Sequence, residues 1–197
     1  MKVERFFAVG ITGGIASGKS LASDYLADRH AIYDADKIVH ELYQTDMELI
    51  DSIGRTFGSF VIKNGQVNRE ILREIIFRDR KLLTDLNSLV HPVVGKYLLK
   101  TIDRHRMEKT RGIFVIPLLC ENNWNNKLDG SLLISCEVEL QVQRLISRDK
   151  FTREQAMILI DSQMSLEQKR RLCTWVLKND TTIQEFYERI VGWEQSL

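Results

Sequence analysis

Apolar and polar positions change rhythm repeatedly along this chain, and the changes mark its elements. Five short runs read as strands: Phe6–Thr12, Ala31–Asp34, Gly112–Leu118, Ser131–Cys136 and Trp175–Lys178. Two of them, GIFVIPLL and SLLIS, are continuously apolar, as strands covered on both faces are. Longer segments with helical spacing separate them. One helix is expected near Lys37–Phe57, another near Arg69–Arg78 and a third near Lys81–Met107. TREQ at 152, SLEQ at 165 and TIQE at 182 each have the form of a capping box at a helix start. KNGQ at 63 reads as a turn in which Asn64 and Gly65 take positive φ. His91-Pro92 interrupts a helical pattern, and the proline reads as a helix start. Strands alternating with helices imply an α/β fold with a parallel sheet and right-handed crossovers. The stretch from about 37 to 111 is too long for a simple crossover and is expected to form a helical insertion over one edge of the sheet.

Composition narrows the class. The chain has 197 residues, enough for one domain with a sizeable core. A net charge of +1 gives no basic field for nucleic acid or an anionic membrane, though a local basic site for a small anion stays open. Cys120, Cys136 and Cys173 are odd in number, far apart in sequence and beside apolar residues. That argues against a disulfide framework or a zinc site and for buried reduced thiols, as in a reducing cytoplasm. The apolar run Phe6–Val9 is too short for a signal-peptide core, and no segment approaches a membrane span. A cytoplasmic monomer or weak homo-oligomer is expected.

The chemistry begins at GITGGIASGKS, residues 10–20. Gly13 to Ser20 satisfies G-x-x-x-x-G-K-[ST], after a strand and before a helical pattern. Glycines let successive N–H groups turn inward, and those dipoles with the following helix N-terminus form an anion cradle. Lys19 would sit against the β- and γ-phosphates of a nucleotide, and the Ser20 hydroxyl would ligate Mg²⁺. A glycine-rich turn without a ligand is the plain alternative. The motif identifies a nucleotide phosphate site, not a reaction.

YDADK follows the second strand. In extended chain Asp34 and Asp36 project to one side, at the carboxyl end of a parallel strand where ligands bind in open α/β sheets. A carboxylate there accepts a proton from an attacking hydroxyl. Asp36 is the first choice as base and Asp34 its support; the alternative for either is a helix N-cap. Arg144 and Arg148 stand one turn apart, suited to the charge that develops in phosphoryl transfer, or simply to a solvated basic face. The span from there to the capped helix at Thr152 could close as a lid. Lys63, Arg69 and Arg73 could meet a substrate phosphate or only solvent. His91 is more often structural at such a place, and Trp124 and Trp193 read as packing residues.

These residues resemble one family, the dephospho-coenzyme A kinases. The matching pieces are GITGGIASGKS, DADKIVHEL, NREILREIIF, LNSLVHPVV, VIPLLCEN, ELQVQRLISRD and Q…KRRL, in the family's order over about residues 8–179. The phosphate loop is shared by many kinases; the DAD, HP and PLL-x-E segments together are more specific. The resemblance implies transfer of the ATP γ-phosphate to the ribose 3′-hydroxyl of dephospho-CoA, with Mg²⁺, in the last step of coenzyme A synthesis. It implies the P-loop kinase fold, a three-layer sandwich on a five-stranded parallel sheet. The core would be about 1–36, 112–148 and 166–197, the helical CoA-binding insertion about 37–111 and the lid about 149–165. By position, Gly14, Ile15, Ala16, Ser17, Gly18, Lys19 and Ser20 bind ATP, with Arg148 and Asn179 beside them. Arg144 matches a lid-side arginine on the ATP phosphates, and Asp36 the base. Asp34, Arg69, Leu72, His91, Leu118 and Glu121 are taken as substrate-binding residues.

The chain also departs from that family. Ala16 stands where glycine is common, and its methyl is tolerable at negative φ. Leu21 replaces a usual threonine or serine, and Cys120 a usual aromatic or aliphatic residue. CTWVLKND at 173–180 replaces small and acidic residues near the adenine. Two other readings stay open at this point: a different small nucleotide or nucleoside kinase, and an ATP-binding regulator without catalysis. A GTP switch lacks its N-K-x-D signature.

Overall fold

The computed structural model describes residues 6–77 and 79–197, Arg80 by its backbone only. Two compact units form, one from the residues up to Tyr33 and from Ile102 on, the other from Asp34–Thr101. The set-in unit thus runs from 34 to 101 where the sequence suggested 37 to 111.

The first unit is built on a five-stranded sheet of β1 (Ala8–Gly13), β2 (Ala31–Asp34), β5 (Gly112–Val115), β6 (Gly130–Ser135) and β7 (Trp175–Lys178) in the order β2-β5-β1-β6-β7. The pairs β1–β5, β1–β6 and β6–β7 are parallel. β1 is central and wholly buried, which explains its unbroken apolar run. Its place between β5 and β6 puts the segment after it at the carboxyl edge, where the strand order reverses and ligands bind.

Helices α1 (Lys19–Leu26) and α9 (Ile183–Glu194) supply Ala22, Leu26, Phe186, Ile190 and Trp193 to a core with Val9, Ile11, Ile113, Leu132 and Ile134. Tyr25 stacks on Tyr187 at 4.2 Å. Between β6 and β7 lie α6 (Val138–Asp149), α7 (Arg153–Asp161) and α8 (Leu166–Leu172). Val142, Leu145 and Ala156 join α6 to α7 in a small core of their own. All three capping boxes form, at Thr152, Ser165 and Thr182. β5 stops at Val115, three residues short of its apolar run, because Pro117 cannot donate to a ladder.

The second unit holds α2 (Ala35–Thr45), α3 (Met47–Phe57), the hairpin β3 (Ile62–Lys63) and β4 (Gln66–Val67), α4 (Arg69–Ile76) and the start of α5 (Arg80–Glu108). Asn64 and Gly65 take φ of 54° and 76°, the left-handed pair a two-residue hairpin needs. The single helix expected over Lys37–Phe57 is two. Asp46, at φ −89° and ψ 96°, ends α2, and its Oδ1 accepts from Leu49 N to start α3. The helix expected to reach Arg78 ends at Ile76, and Arg78 itself lies outside the described residues. Pro92 does not start a helix. It lies inside α5, on the exposed side, while Leu86, Val90, Val94 and Leu98 carry the buried stripe on a four-residue spacing. The ring leaves the Ser88 carbonyl without a helical donor, which the exposed face tolerates.

One carboxylate sets the start of β1. Asp129 Oδ2 accepts from the N–H groups of Phe7 (3.0 Å) and Ala8 (2.8 Å), while Oδ1 takes the Arg106 guanidinium of α5 at 2.8 and 2.9 Å. Asp129→Ala is expected to lose about 2–3 kcal/mol in a urea titration, because two backbone donors and a guanidinium lose their acceptor together. Asp129→Asn, which keeps an acceptor, should lose less.

Candidate active site

Between Gly13 and Lys19 the chain turns from β1 into α1. Gly18 is the N-cap, at φ 102°, a value side chains rarely adopt, and a Cβ there would run into Asn179 Nδ2. A Cβ on Gly14 would lie 2.7 Å from Gln141 Oε1. The loop is closed inside by Ser17 N donating to Gly14 O at 3.2 Å. The Lys19 ammonium donates to the carbonyls of Gly13 (3.1 Å) and Gly14 (2.8 Å). Ser20 is exposed on the first turn of α1.

Two long-range bonds hold the loop from outside. Arg144 Nη1 donates to Ala16 O (3.1 Å) and Nη2 to Asn179 O (3.0 Å). Asn179 is buried, and its Nδ2 donates to Ser17 O at 2.8 Å. Ala16 does not meet the condition of negative φ under which its methyl is easily tolerated: it sits at +57°. The left-handed conformation costs an alanine about 1 kcal/mol. Contact with the small core of Val142, Leu145 and Ala156, and the Arg144 bond to its carbonyl, offset that cost. Arg148 behaves differently from Arg144. Its guanidinium pairs with Asp149 at 2.7–3.1 Å, which raises its pKa through that hydrogen bond.

A cavity of about 530 Å³ opens beside Gly14, lined by Gln141 of α6 and Ser165, Leu166 and Gln168 of α8. Gln141 is 1% exposed, and its Oε1 is buried without a hydrogen-bond partner. In the turn after β5, Leu118 is exposed and Glu121 is half-buried. Glu121 Oε1 accepts from Met164 N (3.1 Å) and from the Lys169 ammonium (2.9 Å). Lys169 is fully buried and also donates to Pro117 O, an oxygen that Thr12 Oγ1 shares. This ion pair fixes where Glu121 points, and removing either partner would strand a buried charge. Neither Gln141 nor Lys169 was singled out by sequence. Lys169 had a signal: it shares one helical face with Leu166 and Cys173, at i, i+3 and i+7, while its neighbours Arg170 and Arg171 are exposed.

In the second unit, Asp34 is the N-cap of α2. Its Oδ1 accepts from Asp36 N (2.9 Å) and Lys37 N (3.3 Å), so the alternative of a capping aspartate holds for Asp34. Asp36 is in the first turn of that helix. A cavity of about 630 Å³ lies in this unit, and Arg69 and Leu72 line it with Arg73, His40 and Tyr43. Burial pushes the Tyr43 phenol up to about 12, against the pull of the Arg69 charge. His91 is exposed on α5 and does not line that cavity.

The comparisons agree with one another. A family model described as dephospho-CoA kinase matches residues 7–185. A dephospho-CoA kinase of Fusobacterium nucleatum is 35% identical over 184 residues, covering 92% of this chain and 94% of that one. A solved structure from Thermus thermophilus superposes with a TM-score of 0.77 at 30% identity, covering 98% of this chain and 97% of the other. The dephospho-CoA kinase from Campylobacter jejuni superposes at 0.71 with 26% identity, covering 95% of each.

Gly18→Ala is expected to weaken nucleoside triphosphate binding at least ~10-fold by calorimetry, since both its φ and the Asn179 contact oppose a side chain. Ala16→Gly, which relieves a left-handed alanine, should bind normally and stay within ~1 kcal/mol of the parent. Normal binding by the Gly18 variant would mean that the Asn179 brace does not shape the loop.

Proposed function

The chain belongs to the dephospho-CoA kinase family, and from that premise we propose how its residues transfer the ATP γ-phosphate to the ribose 3′-hydroxyl of dephospho-CoA. The observation that carries the reading is the loop itself: Gly18 in left-handed conformation, the carbonyls of Ala16 and Ser17 tied outward, and the Lys19 ammonium at its mouth. Amides turned inward stabilise the phosphate charge that builds during transfer. Lys19 moves charge from the loop carbonyls to the β- and γ-oxygens. Arg144, already tied to the loop, adds fixed positive charge at its back.

The donors fit a hard cation. Ser20 offers a hydroxyl at the start of α1, and among the described residues no group of three His, Cys, Asp or Glu side chains competes for a metal. Mg²⁺ would then be held by Ser20, phosphate and water oxygens, and would supply charge neutralisation across the β- and γ-phosphates.

For the proton, the arrangement favours Asp36 over Asp34. Asp34 Oδ1 caps α2 by accepting from the Asp36 and Lys37 amides, and Asp36 lies in the first turn of that helix, two residues after the strand end where ligands bind. Asp36 takes the proton of the attacking hydroxyl, and Asp34 holds α2 in place. Arg69, Leu72, His91, Leu118 and Glu121 are taken as acceptor-binding residues; of these, Arg69 and Leu72 line the cavity of the second unit. Arg148 and Asn179 flank the nucleotide. The enzyme works as a cytoplasmic monomer or weak homo-oligomer without nucleic acid or membrane; no described helix is long and apolar enough to cross one.

Mg-ATP and dephospho-CoA, assayed by coupled ADP release, test the reading: folded protein that releases no ADP with this acceptor ends it. Asp36→Asn should lower kcat at least ~10²-fold with ATP affinity kept. Asp34→Asn should cost less, because asparagine also caps a helix; the reverse order would exchange the two roles.

A further inference from the structure

The cysteines are not three separate thiols. Cys120 and Cys173 lie 53 residues apart in sequence, yet their sulfurs sit 3.7 Å from one another. Cys120 is buried in the turn after β5, and Cys173 is the half-buried C-cap of α8. A disulfide needs about 2.05 Å between sulfurs, so each must move by less than ~1 Å.

The surroundings give the two sulfurs different tasks. The hydrogen bond between the two thiols lowers the pKa of Cys173 against its burial, helped by Ser131 and by the Lys169 charge. The same hydrogen bond, with burial, pushes Cys120 far up. The direction of both effects makes Cys173 the sulfur that loses its proton first.

We propose that Cys120 and Cys173 form a thiol–disulfide exchange site that small-molecule disulfides oxidise reversibly to an intramolecular disulfide. The Cys173 thiolate attacks one sulfur of RS–SR. An S–S bond forms to Cys173, the RS–SR bond breaks, and RS⁻ leaves and takes a proton from water. Cys120 gives its proton to water, attacks the Cys173 sulfur and expels the second RS⁻, which is protonated in turn. Two protein thiols are oxidised, and one RS–SR is reduced to two RSH. The new bond ties the turn bearing Leu118 and Glu121 to the junction of α8 and β7, beside the Lys169–Glu121 pair. The inference rests on the sulfur geometry and stands apart from the phosphate chemistry.

The test is a peptide map. Full-length protein is incubated with oxidised glutathione at neutral pH, alkylated, digested and examined by mass spectrometry. The expected result is a Cys120–Cys173 cross-link with Cys136 alkylated, and a Tm raised by about 5 °C or more that dithiothreitol reverses. Cys120→Ser should instead trap glutathione on Cys173, and Cys136→Ser should still close the bond. Three alkylated cysteines, or a lasting glutathione adduct on Cys173 of the unaltered protein, would overturn the proposal. The unaltered protein's map decides alone if a variant fails to fold.

Discussion

The shape of the glycine-rich loop depends on two carbonyls being held by distant side chains. In a trans peptide the C=O and the following N–H point in opposite directions. Arg144 fixes the Ala16 carbonyl and Asn179 the Ser17 carbonyl, so the peptides that carry the Ser17 and Gly18 amides are held in place, with Ser17 N bonded to Gly14 O across the loop. The glycines make that path accessible; the arginine and the asparagine choose it from among the others glycine allows. A motif of eight residues is thus shaped by two side chains more than a hundred positions away. Their bonds are partly or wholly buried, which keeps water from competing for the same carbonyls.

The turn after β5 uses a different device. There a buried ammonium, Lys169, is shared between the Pro117 carbonyl and the Glu121 carboxylate. Such a pair contributes little net stability, because desolvation consumes most of the attraction. What it supplies is direction: Glu121 cannot swing away without leaving a charge unpaired in the interior. The Cys120–Cys173 contact lies beside that pair, so the most polarised part of this region is also its most oxidisable.

How far the sequence could be read followed the range of each signal. The phosphate loop, the three capping boxes and the Asn64-Gly65 turn are local, since their residues meet within a few positions, and all form where expected. Strand centres were legible for the same reason, and their ends less so, because Pro117 stops β5 inside an apolar run. The break at Asp46 was hidden by helical spacing that continues through it; only the capping aspartate marks it. Pro92 misled because a proline on the exposed side of a long helix costs one carbonyl its donor, a loss the buried stripe of α5 outweighs. The positive φ of Ala16 carries no local mark, and the side chain that bonds its carbonyl, Arg144, lies 128 positions away. Lys169 and the cysteine pair required the fold itself, since a basic run and scattered thiols look ordinary along the chain. Among the candidate residues, Asp34 also caps α2, and Arg148 pairs with its own neighbour Asp149.

The Asn179 brace also bears on the order of synthesis. The glycine-rich segment leaves the ribosome well before the amide that ties it, which arrives 162 positions later. A nascent chain that already contains the whole motif therefore lacks the bond that ties its Ser17 carbonyl until β7 and Asn179 have docked. The shape of the loop thus depends on chain made long after it, and a product truncated before β7 would carry the signature without its brace.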